Sequence, residues 1–137
     1  MSCLVLGDSI AVGTAQALRQ HGVVCRVEAA VGISTAGWRV RFAPWDVPAN
    51  VVVISLGSND RGAQYADLWQ IRKRIKAKKV IWILPANNHV AASAISSMAT
   101  ELGDYVMAFA PGHDGVHPHS YQRLGDRLAP LVRAYDG

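Results

Sequence analysis

Gly7-Asp8-Ser9 closes the first hydrophobic segment of the chain, and Asp114-Gly115-Val116-His117 lies near its other end. A serine is a weak nucleophile at neutral pH until a base takes its proton. The base in turn needs an acid on its second nitrogen to hold the productive tautomer. Ser9, His117 and Asp114 are the residue types for those three roles. A serine that opens a helix also has unpaired amides and the positive end of a dipole beside it. Each motif has a plain reading too: Asp8 or Ser9 as a helix cap, Gly32 as a loop glycine, Asn59-Asp60 as a turn or cap.

Hydrophobic runs and helical patterns alternate along the chain. Cys3–Leu6, Val23–Ala29, Val51–Leu56, Val80–Leu84 and Tyr105–Ala110 read as short, buried parallel strands. Ala11, Ala15 and Leu18 recur at helical spacing before Gly22. Further helical faces follow: Tyr65, Leu68, Ile71 and Ile75; Ala91, Ile95, Met98 and Leu102; Tyr121, Leu124, Leu128 and Leu131, with Pro130 expected to loosen the end. Residues 34–48 hold at most one short helix and then an irregular loop around Pro44 and Pro48. This order implies a parallel sheet covered by helices on both faces, which binds ligands beyond the carboxyl ends of its strands. Ser9, Gly32, Asn59, Asp114 and His117 all follow strands at that one edge.

Gly7-Asp8-Ser9-Ile10, Val31-Gly32-Ile33-Ser34, Gly57-Ser58-Asn59-Asp60 and Asp114-Gly115-Val116-His117-Pro118 occur in an order that resembles the SGNH hydrolases, the GDSL esterase/lipase family. The resemblance spans nearly the whole chain, so residues 1–137 are expected to form a single SGNH hydrolase domain. It implies a flavodoxin-like, three-layer α/β/α sandwich around a five-stranded parallel sheet. It also implies Ser9 as nucleophile, His117 as general base and Asp114 as the acid that orients it. The amides of Ser9 and Gly32 and the side chain of Asn59 match the donors of an oxyanion hole. Ile10 departs from the leucine usual in the first motif and affects only packing under the turn. The chain is short for the family, with little room for a lid or acyl tunnel. The expected activity is therefore a metal- and cofactor-independent serine esterase removing short acyl groups, acetyl foremost, from a carbohydrate or small ester. A thioesterase or lysophospholipase acting on longer chains is the alternative among enzymes. A glycan-binding structural protein is the alternative without catalysis, although binding has no need of a nucleophile with its base.

Other residues compete for roles. Ser34 nearly imitates a nucleophile elbow, but it lacks the final glycine and reads as a loop or cap serine. His113, Asp114, His117 and His119 could hold zinc, a reading that would leave Ser9, Gly32 and Asn59 unused. Trp38 and Arg61 are candidate substrate contacts, and Trp45 could line the same cleft. Cys3 and Cys25 are expected as buried free thiols rather than a disulfide. Six of the fourteen basic residues fall between Arg72 and Lys79. They read as the solvated end of a helix rather than a nucleic-acid surface, because no aromatics interleave with them. With 50% hydrophobic and 18% charged residues a packed core is expected. No run approaches the ~20 apolar residues of a membrane span, and without a signal-peptide pattern the default expectation is the cytoplasm.

Overall fold

The computed structural model describes residues 2–42 and 48–136. Five strands and five helices alternate: β1 (Cys3–Gly7), α1 (Ser9–Gln20), β2 (Arg26–Ala29), α2 (Thr35–Arg41), β3 (Val51–Ser55), α3 (Tyr65–Lys73), β4 (Lys79–Ile83), α4 (His89–Leu102), β5 (Tyr105–Met107) and α5 (Tyr121–Asp136). All strand pairs are parallel, in the order β2-β1-β3-β4-β5. That is the flavodoxin-like order, and it reverses between β1 and β3, where such sheets open a crevice at their carboxyl ends.

Side-chain alternation sends Leu4, Leu6, Val52, Ile54, Val80 and Trp82 to one face, where Trp38, Leu68, Ile71, Ile95 and Met98 from α2, α3 and α4 cover them. Cys3, Val5, Val51, Val53, Ile81 and Ile83 point to the other face, against Ile10 and Leu18 of α1 and Leu124, Leu128 and Val132 of α5. Both faces of β1, β3 and β4 are thus dry, and this is why those strands read as unbroken hydrophobic runs.

Four expectations need correction. The second strand begins at Arg26 rather than Val23, and as an edge strand it leaves Arg26 and Val27 exposed. The last strand stops at Met107 for the same reason: with a single neighbour, it lacks a second ladder to extend it. Where Pro130 is expected to kink or loosen the end of the last helix, α5 runs on through it to Asp136, with Leu128, Ala129 and Val132 buried on either side and the proline itself facing solvent. Cys3 and Cys25 form a disulfide across the β1–β2 edge instead of two free thiols.

The basic run is also less solvated than expected. Arg72 grips Asp104 through two hydrogen bonds of 2.7 and 2.8 Å, and Trp82 Nε1 donates to the same carboxylate at 3.0 Å. Lys79 donates to Gly103 O and places its ammonium 3.7 Å from the centre of the Tyr105 ring. Pro44 and Trp45 lie outside the described residues.

At its far end, α1, which opens on Ser9, is clasped to α5 through His21. His21 Nδ1 lies 2.8 Å from Ala17 O and Nε2 lies 2.6 Å from Asp126. Both partners can only accept, so the arrangement suits the doubly protonated ring. The carbonyl of Ala17 and the carboxylate of Asp126 accordingly raise the imidazole pKa above its ordinary 6.5.

Two predictions follow from these cross-links. The Cys3–Cys25 bridge closes a loop with a sequence separation of 22, so Cys25→Ser should cost about 3 kcal/mol of stability, read by denaturant unfolding. The His21 clasp contributes stability that is complete below the unfolded imidazole pKa and is lost as pH rises through the elevated folded value. Thermal melts across the neutral-to-alkaline range should show that loss, and Asp126→Asn should reduce it while the Ala17 carbonyl keeps part of it.

Candidate active site

Ser9 is the first residue of α1, and Asp8 is its N-cap. Gly7 has φ +139°, and a Cβ on it would lie 1.8 Å from Ser55 O, so the turn runs flush against β3. Asp8 N donates to that same Ser55 carbonyl at 3.0 Å. The Asp8 carboxylate is fully buried. It accepts from Ile10 N at 3.0 Å, Ser55 Oγ at 3.2 Å and Ser58 Oγ at 2.6 Å. Burial pushes its pKa up, and these donors pull it back.

Asp114 and His117 come from a hairpin-like loop between β5 and α5. His119 N donates to Ala110 O and Gly112 N to His117 O, closing the loop, and Gly115 turns its tip. Asp114 Oδ1 accepts from the amides of Val116 and His117. Its other oxygen lies 2.6 Å from His117 Nδ1. These bonds, that to His117 first, lower the Asp114 pKa to about 2. An ionised carboxylate only accepts, so Nδ1 carries the ring proton and Nε2 of the neutral ring is free to accept. Nε2 lies 2.8 Å from Ser9 Oγ. The structure therefore joins the three residues in one hydrogen-bonded chain with the serine as donor.

Asn59 lies in the exposed loop after β3 and donates through Nδ2 to Ile33 O at 3.0 Å. Its second amide hydrogen is left for another acceptor. Gly32, next to Ile33, adopts φ +77° at the surface. The amide of Ser9, at the first helical position, has no intrahelical acceptor. Asp60 ties the same two loops together, accepting from Thr35 N at 2.8 Å and Thr35 Oγ1 at 2.6 Å. From beneath, Asn88 Nδ2 donates to the carbonyls of Gly57, Asp60 and Gly62, while Asn87 holds Ser58 O.

Not every expected residue reaches this cleft. Trp38 is only 2% exposed, stacks on Phe42 and donates from Nε1 to Glu28 O, so it is a core residue rather than a substrate contact. Arg61 is exposed two residues beyond Asn59, and among the described residues its guanidinium has no ion pair. Ser34 caps α2, accepting from Gly37 N. Among the described residues no three His, Cys, Asp or Glu side chains converge as metal ligands. Asp8, Ser58, Asp60 and Asn88 support the site but carried no assigned chemistry in the sequence. Their signal was present as polar residues crowded beyond the carboxyl ends of three otherwise apolar strands. Tyr121 was read only as a helix-face residue. Its ring packs on Gly13 of α1, and burial together with the charges of Asp8 and Asp114 raises its phenol pKa.

No family model and no curated protein matches the chain by sequence. Solved structures do match it. A lipase/acylhydrolase from Enterococcus faecalis superposes with a TM-score of 0.73 at 19% identity, over 98% of this chain and 96% of that one. A carbohydrate esterase family 2 enzyme with its carbohydrate-binding domain, from Corynascus thermopiles (Myceliophthora fergusii), matches with a TM-score of 0.68 at 17% identity. The match covers 97% of this chain, which spans 65% of the esterase's length. A protein from Slackia heliotrinireducens proposed to be an SGNH hydrolase matches at 0.66 and 20% identity, over 99% and 98% of the two chains. At these identities the likeness shows the fold, which is that of the SGNH hydrolases.

The glycines at the Ser9 turn and in the Gly32 loop give a stability prediction. Gly7→Ala places a methyl inside van der Waals contact with rigid backbone and should leave little folded protein. Gly32→Ala meets nothing within 4 Å, so it should cost only the left-handed backbone penalty of about 1–2 kcal/mol. Circular dichroism melts of the two variants check the contrast.

Proposed function

We propose that this chain, with its SGNH hydrolase fold, is a serine esterase that hydrolyses short acyl esters, acetyl foremost, carried on a carbohydrate or small alcohol. The observation that carries this reading is the continuous path from Ser9 Oγ to His117 Nε2 at 2.8 Å and from Nδ1 to Asp114 at 2.6 Å. His117 Nε2 takes the hydroxyl proton as Oγ attacks the ester carbonyl, and the Asp114 carboxylate stabilises the imidazolium that forms. The amides of Ser9 and Gly32 and the side chain of Asn59 donate to the oxyanion. His117 then returns its proton to the departing alcohol, leaving an acyl group on Ser9. Water, deprotonated by the same imidazole, releases the acid and restores the serine.

Openness supports the short-acyl reading. The side chains of His117 and Asp114 keep 43% and 53% of their surface exposed, and Asn59 lies at the surface. Among the described residues, none covers the base closely enough to bury a long chain. The matched carbohydrate esterase and acylhydrolase support the reaction class. Arg61, exposed two residues beyond Asn59 and without an ion pair among the described residues, would meet an anionic substituent of the substrate.

Purified protein should hydrolyse p-nitrophenyl acetate and be labelled at Ser9 by a fluorophosphonate. Ser9→Ala should lose labelling and about 10⁴-fold or more of turnover. Asn59→Ala should lower turnover by about 10²–10³. Labelling at Ser34, or activity that survives Ser9→Ala but not a chelator, contradicts the assignment. Faster turnover of octanoate or palmitate esters than of acetate moves the substrate to the long-chain alternative.

A further inference from the structure

The outer edge of β2 matches its own antiparallel copy. Among the described residues β2 pairs with β1 alone, so its other side has no described strand beside it. Ala30 N donates to Gly7 O, and Gly7 is the register partner of Ala29. By the alternation of a parallel ladder, Glu28 and Ala30 therefore turn their backbone groups toward β1. Val27 and Ala29 turn theirs outward. Val27 is 44% exposed, and Val24 and Val31 at the two ends are 52% and 78% exposed.

We infer that two copies of this chain pair through their β2 edges about a two-fold axis at Val27. In that register each Val27 exchanges both backbone hydrogen bonds with the partner subunit's Val27. Arg26 faces Glu28 of the partner subunit, twice, in the closer, non-hydrogen-bonded type of pair. Cys25 then lies opposite Ala29, and Val24 opposite Ala30, apolar against apolar. Every position from 24 to 30 finds a like-polarity or opposite-charge partner in its own reversed sequence. Charged residues usually guard an edge strand against such pairing. Here Arg26 and Glu28 already attract one another at 2.7 Å within one strand, and reversal keeps that attraction across the seam.

On the α1 side of the edge lies an open groove lined by Val12, Ala15, Gln16, Arg19, Cys25 and Val27. Cross-strand neighbours point to the same face, so the apolar side chain on the dyad seats beside this groove. The two-fold also sets the carboxyl end of one sheet beside the amino end of the other. Both Ser9 clefts therefore stay open, at opposite ends of a continuous ten-stranded sheet.

Sedimentation equilibrium should give twice the single-chain mass for the wild type. Arg26→Glu alone faces like charges across the axis and should fall to single-chain mass, as should Glu28→Arg alone. Mixing the two variants restores opposite pairs and should return the double mass. The double variant Arg26→Glu/Glu28→Arg should regain it by itself. Val27→Lys, which sets two ammonium groups at the dyad, gives an independent route to the single chain if a charge variant fails to fold. Unchanged circular dichroism and fluorophosphonate labelling distinguish lost pairing from lost structure. A wild type at single-chain mass at every concentration overturns the inference. So does a dimer that Arg26→Glu and Val27→Lys leave intact.

Discussion

The site rests on a carboxylate sealed from water. Asp8 immediately precedes Ser9, and taking its charge out of solvent is costly. Two serine hydroxyls and a helix amide offset that cost. Two of these donors belong to β3 and the loop after it, so Asp8 joins the first crossover to the third strand at the topological switch. Removing a single donor would leave a buried charge under-satisfied, which costs more than the bond itself contributed. The result is that Ser9 and Asn59 cannot drift independently. The backbone reinforces this, because Gly7 lets β1 turn in contact with the Ser55 carbonyl.

A second carboxylate extends the unit. Asp60 binds both the amide and the hydroxyl of Thr35, drawing the loop that holds Gly32 toward the loop that holds Asn59. Asn88 satisfies three carbonyls of the Asn59 loop with one amide group. Against this fixed half stands an exposed half, the 110–119 hairpin that carries Asp114 and His117. The division suits the chemistry proposed for the site. Charge stabilisation depends on donors aimed before charge develops, whereas a base needs only to reach one proton and hold its tautomer. The hairpin meets the second demand locally, since Asp114 binds the amides of Val116 and His117 as well as the ring.

What the sequence made legible follows the same physical line. β1, β3 and β4 are buried on both faces, so composition alone marks them. The candidate triad and oxyanion donors were legible because each follows a strand, and a parallel sheet sends all such residues to one edge. Edge strands escaped this logic: β2 has one neighbour, and its exposed Arg26 and Val27 break the buried pattern. Pairings between distant segments left no local trace either. Cys3 and Cys25 look like two apolar residues until the β1–β2 register brings them together. Arg72 looks like one more solvated cation until Asp104 arrives from beyond β4. Trp38 was placed near the cleft by sequence proximity to Gly32, but helical geometry turns its ring into the sheet.

A short edge strand feeds the loop that holds Gly32. β2 has four residues and one partner strand among the described residues, yet in the proposed mechanism the loop it feeds presents the Gly32 amide to a developing charge. Three restraints compensate along its length. The Cys3–Cys25 bridge anchors the chain just before it, Trp38 Nε1 binds the Glu28 carbonyl within it, and the Asp60–Thr35 pair holds the chain just after the loop. Each comes from a different element (β1, α2 and the β3–α3 loop), so no single motion releases the strand. An edge strand that would otherwise fray is thereby restrained at its carboxyl end, where the proposed chemistry requires it, while its outer backbone stays open along the middle.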